Sequence, residues 1–215
     1  MTRDLLPFRL AQRSVEIQSQ NSAAILAFAD GPNPPRLTRA ILRQVGEHLE
    51  AIRQAGGFRG VVIASNARSF AAGADLSEII ALEGVAAREF AGMGQELFRE
   101  IELFPLPVAA AIRGFCMGGG LDLALACRAR VAAYGTTFSH PGATLGLMTG
   151  WGGTQRLPRL AGRAESLRIL LTGERIPATQ ALTLGLIDEL VPSAELIDAA
   201  VRQVLRQSQS AKPQE

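Results

Sequence analysis

The sequence predicts an α/β domain in which helices pack around a sheet. Two patterns support this class: short apolar runs with the length of buried strands, and longer segments whose apolar residues repeat on one helical face. The strand candidates occupy residues 60–64, 107–112 and 130–134. Because strands and helices alternate along the chain, we expect βαβ units. A chain of 215 residues is long enough for about one domain with a sizeable core.

The N-terminal half predicts a β-hairpin followed by two helices. Residues 14–18 alternate polar and apolar side chains, Asn21 and Ser22 suit a turn, and residues 24–28 form a second strand. Apolar residues at helical spacing then mark the two helices; the stripes are Leu37, Ile41, Val45, Leu49 and Ile52, and Phe90, Met93, Leu97, Ile101 and Phe104.

The C-terminal part predicts one further amphipathic helix over residues 194–206, with Ser193 as its N-cap. Beyond it, residues 207–215 are rich in Gln, Ser, Lys and Pro, and we expect them to be disordered. The prediction is therefore a single domain over residues 1–206 and a polar tail over residues 207–215.

Composition and charge argue against several classes of function. The 22 basic residues nearly balance the 20 acidic ones, for a net charge of +2, so nucleic acid is not an expected partner. No apolar stretch approaches the ~20 residues of a membrane helix. The first residues contain no apolar leader, so we expect a cytoplasmic location. Two cysteines and two histidines lack metal-ligand spacing, and we expect neither a metal site nor a disulfide.

Two glycine-bearing segments carry the strongest chemical signal. Residues 69–76 have the sequence S-F-A-A-G-A-D-L, residues 114–122 have G-F-C-M-G-G-G-L-D, and each follows a strand-like apolar run. Glycine permits backbone conformations that leave N–H groups pointing inward. Two such donors that converge on a carbonyl oxygen form an oxyanion hole, which stabilises an enolate or a tetrahedral adduct. The segments predict chemistry on a thioester or another activated acyl group, although each alone also suits a simple strand-to-helix turn.

These segments resemble two motifs of the enoyl-CoA hydratase/isomerase (crotonase) superfamily. Residues 138–157 are similar to its F-x-x-P-E-x-x-L-G-x-x-P-G-x-G-G-T-Q-R-L motif, and residues 171–186 to its L-T-G-E…A-L-x-x-G-L motif. The resemblance extends over about residues 14–192. It implies a repeated ββα spiral with surrounding helices, shorter at the C-terminus than in most relatives. It also implies an acyl-CoA substrate, no cofactor beyond the CoA moiety, and a homotrimer or dimer of trimers.

The resemblance assigns roles to individual residues. Ala74 and Gly119 match the two oxyanion-hole donors of the family. By the same resemblance, Ala72, Asp75 and Leu76 line the path of the adenine and pantetheine groups. Arg68 contacts a CoA phosphate, or else it is a solvated charge. Trp151 lines the acyl pocket, or else it only packs in the core.

Asp122 is the expected proton-transfer residue. It matches a position where relatives often carry a carboxylate, most commonly Glu. The alternative is a carboxylate that only pairs with the positive end of its helix, worth about 0.3–1 kcal/mol. Because Asp is shorter than Glu by roughly 1.5 Å, contact with the substrate through a water molecule is also possible.

Gly142 is the main departure from the family motif, because hydratases carry their second Glu at this position. A chain with one carboxylate lacks half of the ordinary two-glutamate apparatus for adding water. His140, two residues earlier, is the nearest titratable substitute; the alternative for this histidine is a purely structural role.

The predicted function is therefore an acyl-CoA enzyme that stabilises a thioester enolate, with enoyl-CoA hydration as the first expectation. The alternatives are an isomerase, a C–C lyase or decarboxylase of the same superfamily, and a non-catalytic acyl-CoA-binding relative. Of the other polar residues, Cys116 and Cys127 are expected in the core and His48 at the surface or its boundary.

Overall fold

The computed structural model describes residues 14–29 and 34–210, and these form an α/β domain with two sheets. The strands are β1 Val15–Gln20, β2 Ala23–Phe28, β3 Gly60–Ser65, β4 Val108–Ile112, β5 Phe115–Met117, β6 Ala129–Ala133, β7 Thr137–Ser139, β8 Ile176–Pro177 and β9 Glu189–Val191. The larger sheet has six strands in the order β1-β2-β3-β4-β6-β9, and the smaller has three in the order β5-β7-β8.

The larger sheet begins with the predicted hairpin. Strands β1 and β2 are antiparallel, with Val15 opposite Phe28. Asn21 and Ser22 connect them with φ angles of 49° and 67°, the left-handed conformation that a two-residue hairpin turn requires. The remaining neighbours in this sheet are parallel, as the alternation of strands and helices predicts.

Eight α-helices accompany the sheets in the described residues. The helices are α1 Arg39–Ala55, α2 Leu76–Ile80, α3 Gly84–Glu102, α4 Gly119–Ala126, α5 Gly153–Ala161, α6 Arg163–Thr172, α7 Ala178–Thr183 and α8 Leu196–Ser210. Both predicted apolar stripes face the core, and all their residues are helical except Leu37, which precedes α1, and Phe104, which follows α3. Short 3-10 turns cover Pro141–Leu145 and Ser193–Glu195. Helix α1 starts at the side chain of Thr38, which accepts a hydrogen bond from the Ile41 N–H.

The second sheet reveals the ββα repeat. Strand β4 is followed by β5 and α4, and strand β6 by β7 and then α5. Strands β5 and β7 pair in parallel, and Ala71, after β3, forms a parallel bridge with Cys116 of β5. Each unit thus places one strand in the large sheet and a short extended segment in the small one, which confirms the predicted fold class.

The C-terminal helix is longer than predicted. Helix α8 begins at Leu196, after a 3-10 turn that contains Ser193, and continues to Ser210, so residues 207–210 are helical rather than disordered. Its apolar face covers the sheet with Val201 and Val204, and this packing extends the helix into the polar segment. The rest of the predicted tail, residues 211–215, lies outside the described residues.

Two predictions about buried side chains have different outcomes. His48 is 5% exposed and its Nε2 lies 3.1 Å from the Val15 carbonyl oxygen, so the prediction of a surface or boundary position is wrong. Its helix packs against β1 and encloses the ring. Cys116 and Cys127 are both buried, as predicted. Burial raises the pKa of Cys127 to about 12 and that of Cys116 well above its usual value, which leaves both as unreactive thiols.

Candidate active site

The candidate active site forms where the two glycine-bearing segments meet. Strand β5 lies beside the first segment, with hydrogen bonds from the Ala71 N–H to the Phe115 oxygen at 3.2 Å and from the Met117 N–H to the Ala71 oxygen at 2.9 Å. The Gly118 N–H donates to the Ser139 oxygen at 3.0 Å. These bonds fix the positions of both segments immediately before each enters its helix.

Gly73 and Gly119 lie next to each other where the two segments meet. Gly73 has a φ of +97°, and a Cβ built on it would lie 3.3 Å from the Gly119 nitrogen and 3.1 Å from the Met117 oxygen. A Cβ on Gly119 would lie 3.4 Å from the Ala74 nitrogen. The N–H groups of Ala74 and Gly119 are therefore neighbours. Within the described part of the chain, neither N–H donates a hydrogen bond.

A cavity of about 570 Å³ opens at this point. All the site residues predicted from the sequence border this cavity except Arg68 and Asp75. Residues that the sequence did not indicate border it as well. The predicted residues on its wall are Ala72, Ala74, Leu76, Gly119, Asp122, His140, Gly142 and Trp151, and the additional ones include Ile79, Leu82, Phe90, Leu145, Leu147, Met148 and Thr149. The wall is mostly apolar, and Asp122 and His140 are its only titratable side chains among the described residues.

Arg68 and Asp75 do not border the cavity. Arg68 is exposed after β3. Asp75 caps α2, where its Oδ1 accepts a hydrogen bond from the Ser77 N–H at 2.8 Å, and it pairs with Arg36 at 3.4 Å. The Ser77 hydroxyl and N–H, and secondarily Arg36, hold the pKa of Asp75 below its usual value. In this structure Asp75 therefore acts as the N-cap of α2.

Asp122 and His140 form a buried pair at the cavity. Asp122 lies in the first turn of α4, and His140 follows β7. The His140 Nε2 lies 3.2 Å from the Asp122 Oδ1. The Asp122 side chain is 2% exposed and the His140 side chain is 6% exposed. The two residues that the sequence offered as alternative proton carriers therefore belong to one hydrogen-bonded unit.

Thr149 completes this unit, and the sequence analysis missed it. Its hydroxyl donates a hydrogen bond to the Asp122 Oδ2 at 2.5 Å. In the resemblance to the family motif, Thr149 occupies a position that the motif gives as proline. A hydroxyl that replaces proline beside an expected active site was the signal available in the sequence.

Gly142 leaves no room for a side chain in the present backbone. A Cβ built there would lie 2.9 Å from the Leu147 carbonyl oxygen, and the Leu147 N–H donates to the Gly142 oxygen at 2.9 Å. A carboxylate at this position would require the Leu147 backbone to move. The backbone around residue 142 thus has space for glycine but not for the second carboxylate that hydratases carry at this position.

Trp151 both packs in the core and borders the cavity. Its ring makes edge-on contacts with Phe90 and Phe98, with centroids 5.3 and 5.6 Å apart. It fits against α3 only because residue 94 is glycine, since a Cβ there would lie 2.3 Å from the indole nitrogen. Trp151 thus packs between α3 and α4, in the core role that the sequence allowed, and it also forms part of the cavity wall.

Within residues 14–29 and 34–210, no group of three or more His, Cys, Asp and Glu side chains is placed to hold a metal ion. No helix in the same ranges has the length and hydropathy needed to cross a membrane.

Comparison with known proteins agrees with this geometry. Residues 20–214 match the family model for enoyl-CoA hydratase/isomerase. The fatty acid oxidation complex subunit alpha of Shewanella loihica is 46% identical over 173 residues, which cover 79% of this chain and 24% of that protein. The chain thus spans about a quarter of the length of this relative.

Solved structures give the same result. DspI of Pseudomonas aeruginosa superposes with a TM-score of 0.86 at 30% identity, over 94% of this chain and 82% of that one. An enoyl-CoA hydratase from Bacillus anthracis superposes with a TM-score of 0.83 at 29% identity, over 94% and 78%. On the family match, which extends over most of its length, this chain belongs to the enoyl-CoA hydratase/isomerase (crotonase) family.

Proposed function

We propose that this protein acts on an acyl-CoA thioester and stabilises its enolate in an oxyanion hole. The observation that carries the proposal is the meeting of Ala74 and Gly119, whose N–H groups are adjacent and have no acceptor within the described chain. A thioester oxygen placed between them would receive two hydrogen bonds that strengthen as negative charge develops. The Asp122–His140 pair, on the wall of the same cavity, would then move the proton.

Hydration of an enoyl-CoA is the first candidate reaction. Family membership and the names of the relatives support it. In this reaction the pair takes a proton from water as the oxygen attacks C3, and the electron pair of the C2–C3 double bond moves toward the thioester oxygen. The same pair then returns a proton to C2, so a second carboxylate is not essential to the proton balance.

Isomerisation of a double bond is the second candidate, and Gly142 favours it. The site has one carboxylate, and the Leu147 backbone occupies the space of a side chain at position 142. One acid–base unit is sufficient to remove a proton from C2 of a 3-enoyl-CoA and return a proton to C4.

Product analysis with a panel of CoA esters tests these assignments. We expect 2-enoyl-CoA esters to give 3-hydroxyacyl-CoA if hydration is the reaction, and 3-enoyl-CoA esters to give 2-enoyl-CoA if isomerisation is. Esters of several chain lengths should be included because the cavity wall is mostly apolar. Tight binding of CoA esters without any product would instead identify a non-catalytic acyl-CoA-binding relative.

We also propose that the chain forms a homotrimer or a dimer of trimers. Large apolar side chains are exposed beside the cavity and on α6: Leu145 is 54% exposed, and Met148 and Leu171 are each 63% exposed. Clustered exposed apolar surface marks interaction sites. Sedimentation velocity at micromolar concentration should show a species of at least three chains, and a stable monomer would contradict this proposal.

A further inference from the structure

The Asp122 carboxylate is poorly placed to touch a substrate directly. Its Oδ1 accepts from His140 at 3.2 Å and its Oδ2 accepts from Thr149 at 2.5 Å. The side chain is 2% exposed. Both oxygens therefore already have protein donors, and little of the carboxylate surface is left for a reacting carbon or a water molecule.

His140 is placed differently. Only its Nε2 is engaged, by Asp122. The Nδ1 nitrogen has no hydrogen-bond partner among the described residues, and His140 borders the cavity. A Cβ built on Gly142 would lie 3.7 Å from Nδ1. The free edge of the ring thus lies beside the position where glycine has replaced a carboxylate.

We propose that His140 exchanges the proton with the substrate, and that Asp122 and Thr149 are positioning residues. This assignment rests on the proposed function and identifies the acid–base group within it. A carboxylate can only accept, so the proton shared with Asp122 belongs to Nε2, and this tautomer presents the lone pair of Nδ1 to the cavity. Thr149 fixes the rotamer of Asp122, and Asp122 fixes the ring.

The proton-transfer step balances without a further reagent. Nδ1 removes a proton from C2 of the thioester, and the electron pair of the broken C–H bond passes into the enolate. The enolate oxygen is held by the N–H groups of Ala74 and Gly119, and the new imidazolium is stabilised by the Asp122 carboxylate. The reverse step returns the proton to carbon.

Chemical rescue of a His140→Ala variant tests the assignment. The assay follows exchange of the C2 protons of butanoyl-CoA for deuterium in D₂O by NMR, because this exchange depends only on proton transfer. We expect His140→Ala to exchange about 100-fold more slowly than the parent protein or worse. Added imidazole should restore the rate at least ~10-fold, because the vacated space joins the cavity and Asp122 can bind the added ring. Parent-like exchange in His140→Ala, or a slow variant that does not respond to imidazole, would overturn the assignment.

A second pair of variants tests the positioning role without removing the histidine. Thr149→Val removes the hydroxyl and keeps the side-chain shape, whereas Thr149→Ser keeps the hydroxyl. We expect Thr149→Val to lower kcat with little change in KM, and Thr149→Ser to recover most of the loss. Equal kcat in the two variants would contradict the role of Thr149. A parent protein that binds CoA esters but neither exchanges a C2 proton nor converts an enoyl-CoA ester would overturn the proposed function itself, and this inference with it.

Discussion

Replacing Gly119 by proline should lower turnover of a CoA ester about 100-fold or more, compared with replacement by alanine. Gly119 is the first residue of α4, a position where proline suits a helix and costs no intrahelical hydrogen bond. Proline deletes the N–H that we assign to the oxyanion hole. Loss of one such donor typically costs 10²–10³-fold in kcat.

The alanine variant is the matched control for this experiment. A Cβ at position 119 would lie 2.4 Å from Cζ3 of Trp151, so both variants must displace the indole. Only the proline variant also loses the N–H group. Thermal unfolding of both proteins checks that the comparison is between folded states. If Gly119→Pro is as active as Gly119→Ala, the assignment of this N–H to catalysis is wrong.

Asp122→Asn should lower kcat by about 10²–10⁴-fold and leave the affinity for CoA esters nearly unchanged. The neutral amide stabilises an imidazolium on His140 less well than the carboxylate does, and its single acceptor oxygen can accept from only one of His140 and Thr149. Affinity should persist because the rest of the cavity wall and the proposed oxyanion donors are untouched. Steady-state kinetics and binding of a non-reactive CoA ester measure the two quantities separately.

Asp198→Asn is the control for the same change of charge. Asp198 lies at the start of α8 and accepts from Gln20 at 2.6 Å, with no part in the cavity. We expect parent-like kinetics from this variant. An Asp122→Asn protein that retains the parent kcat would show that the carboxylate serves only the helix terminus.

Much of the fold could be predicted because its longer elements carry a clear period. The hairpin, the three buried strands and the stripes of α1 and α3 all appear where local patterning indicates. The small sheet does not, because β5 and β7 have three residues each and β8 has two. Such strands are defined by their hydrogen-bonded partners rather than by a sequence period. Local patterning therefore does not show the ββα repeat, which only the family resemblance implied.

The end of α8 and the environment of His48 were mispredicted for a related reason. Residues 207–210 have a polar composition, yet they continue a helix whose other face is held by the sheet. His48 is a polar residue beside the apolar stripe of α1, which suggested an exposed position, but α1 packs this side chain against β1. In both cases tertiary packing overrides local composition.

The site was only partly predictable because its parts are distant in sequence. The two glycine-bearing segments can be recognised as candidate site segments from their composition, and in the structure they lie together as expected. The pairing of Asp122 with His140 spans 18 residues, and that with Thr149 spans 27. No local pattern reports such contacts, and the sequence therefore left Asp122 and His140 as competing rather than joined groups.

The most direct measurement of the central claim is the infrared carbonyl stretch of a bound thioester. Butanoyl-CoA labelled with ¹³C at the carbonyl distinguishes this band from the protein amides. If the N–H groups of Ala74 and Gly119 polarise the thioester oxygen, the band should move to lower frequency on binding to the parent protein. The shift should persist in Gly119→Ala and shrink in Gly119→Pro. A bound ester with the same carbonyl frequency as in water would contradict the oxyanion hole and the proposed enolate chemistry.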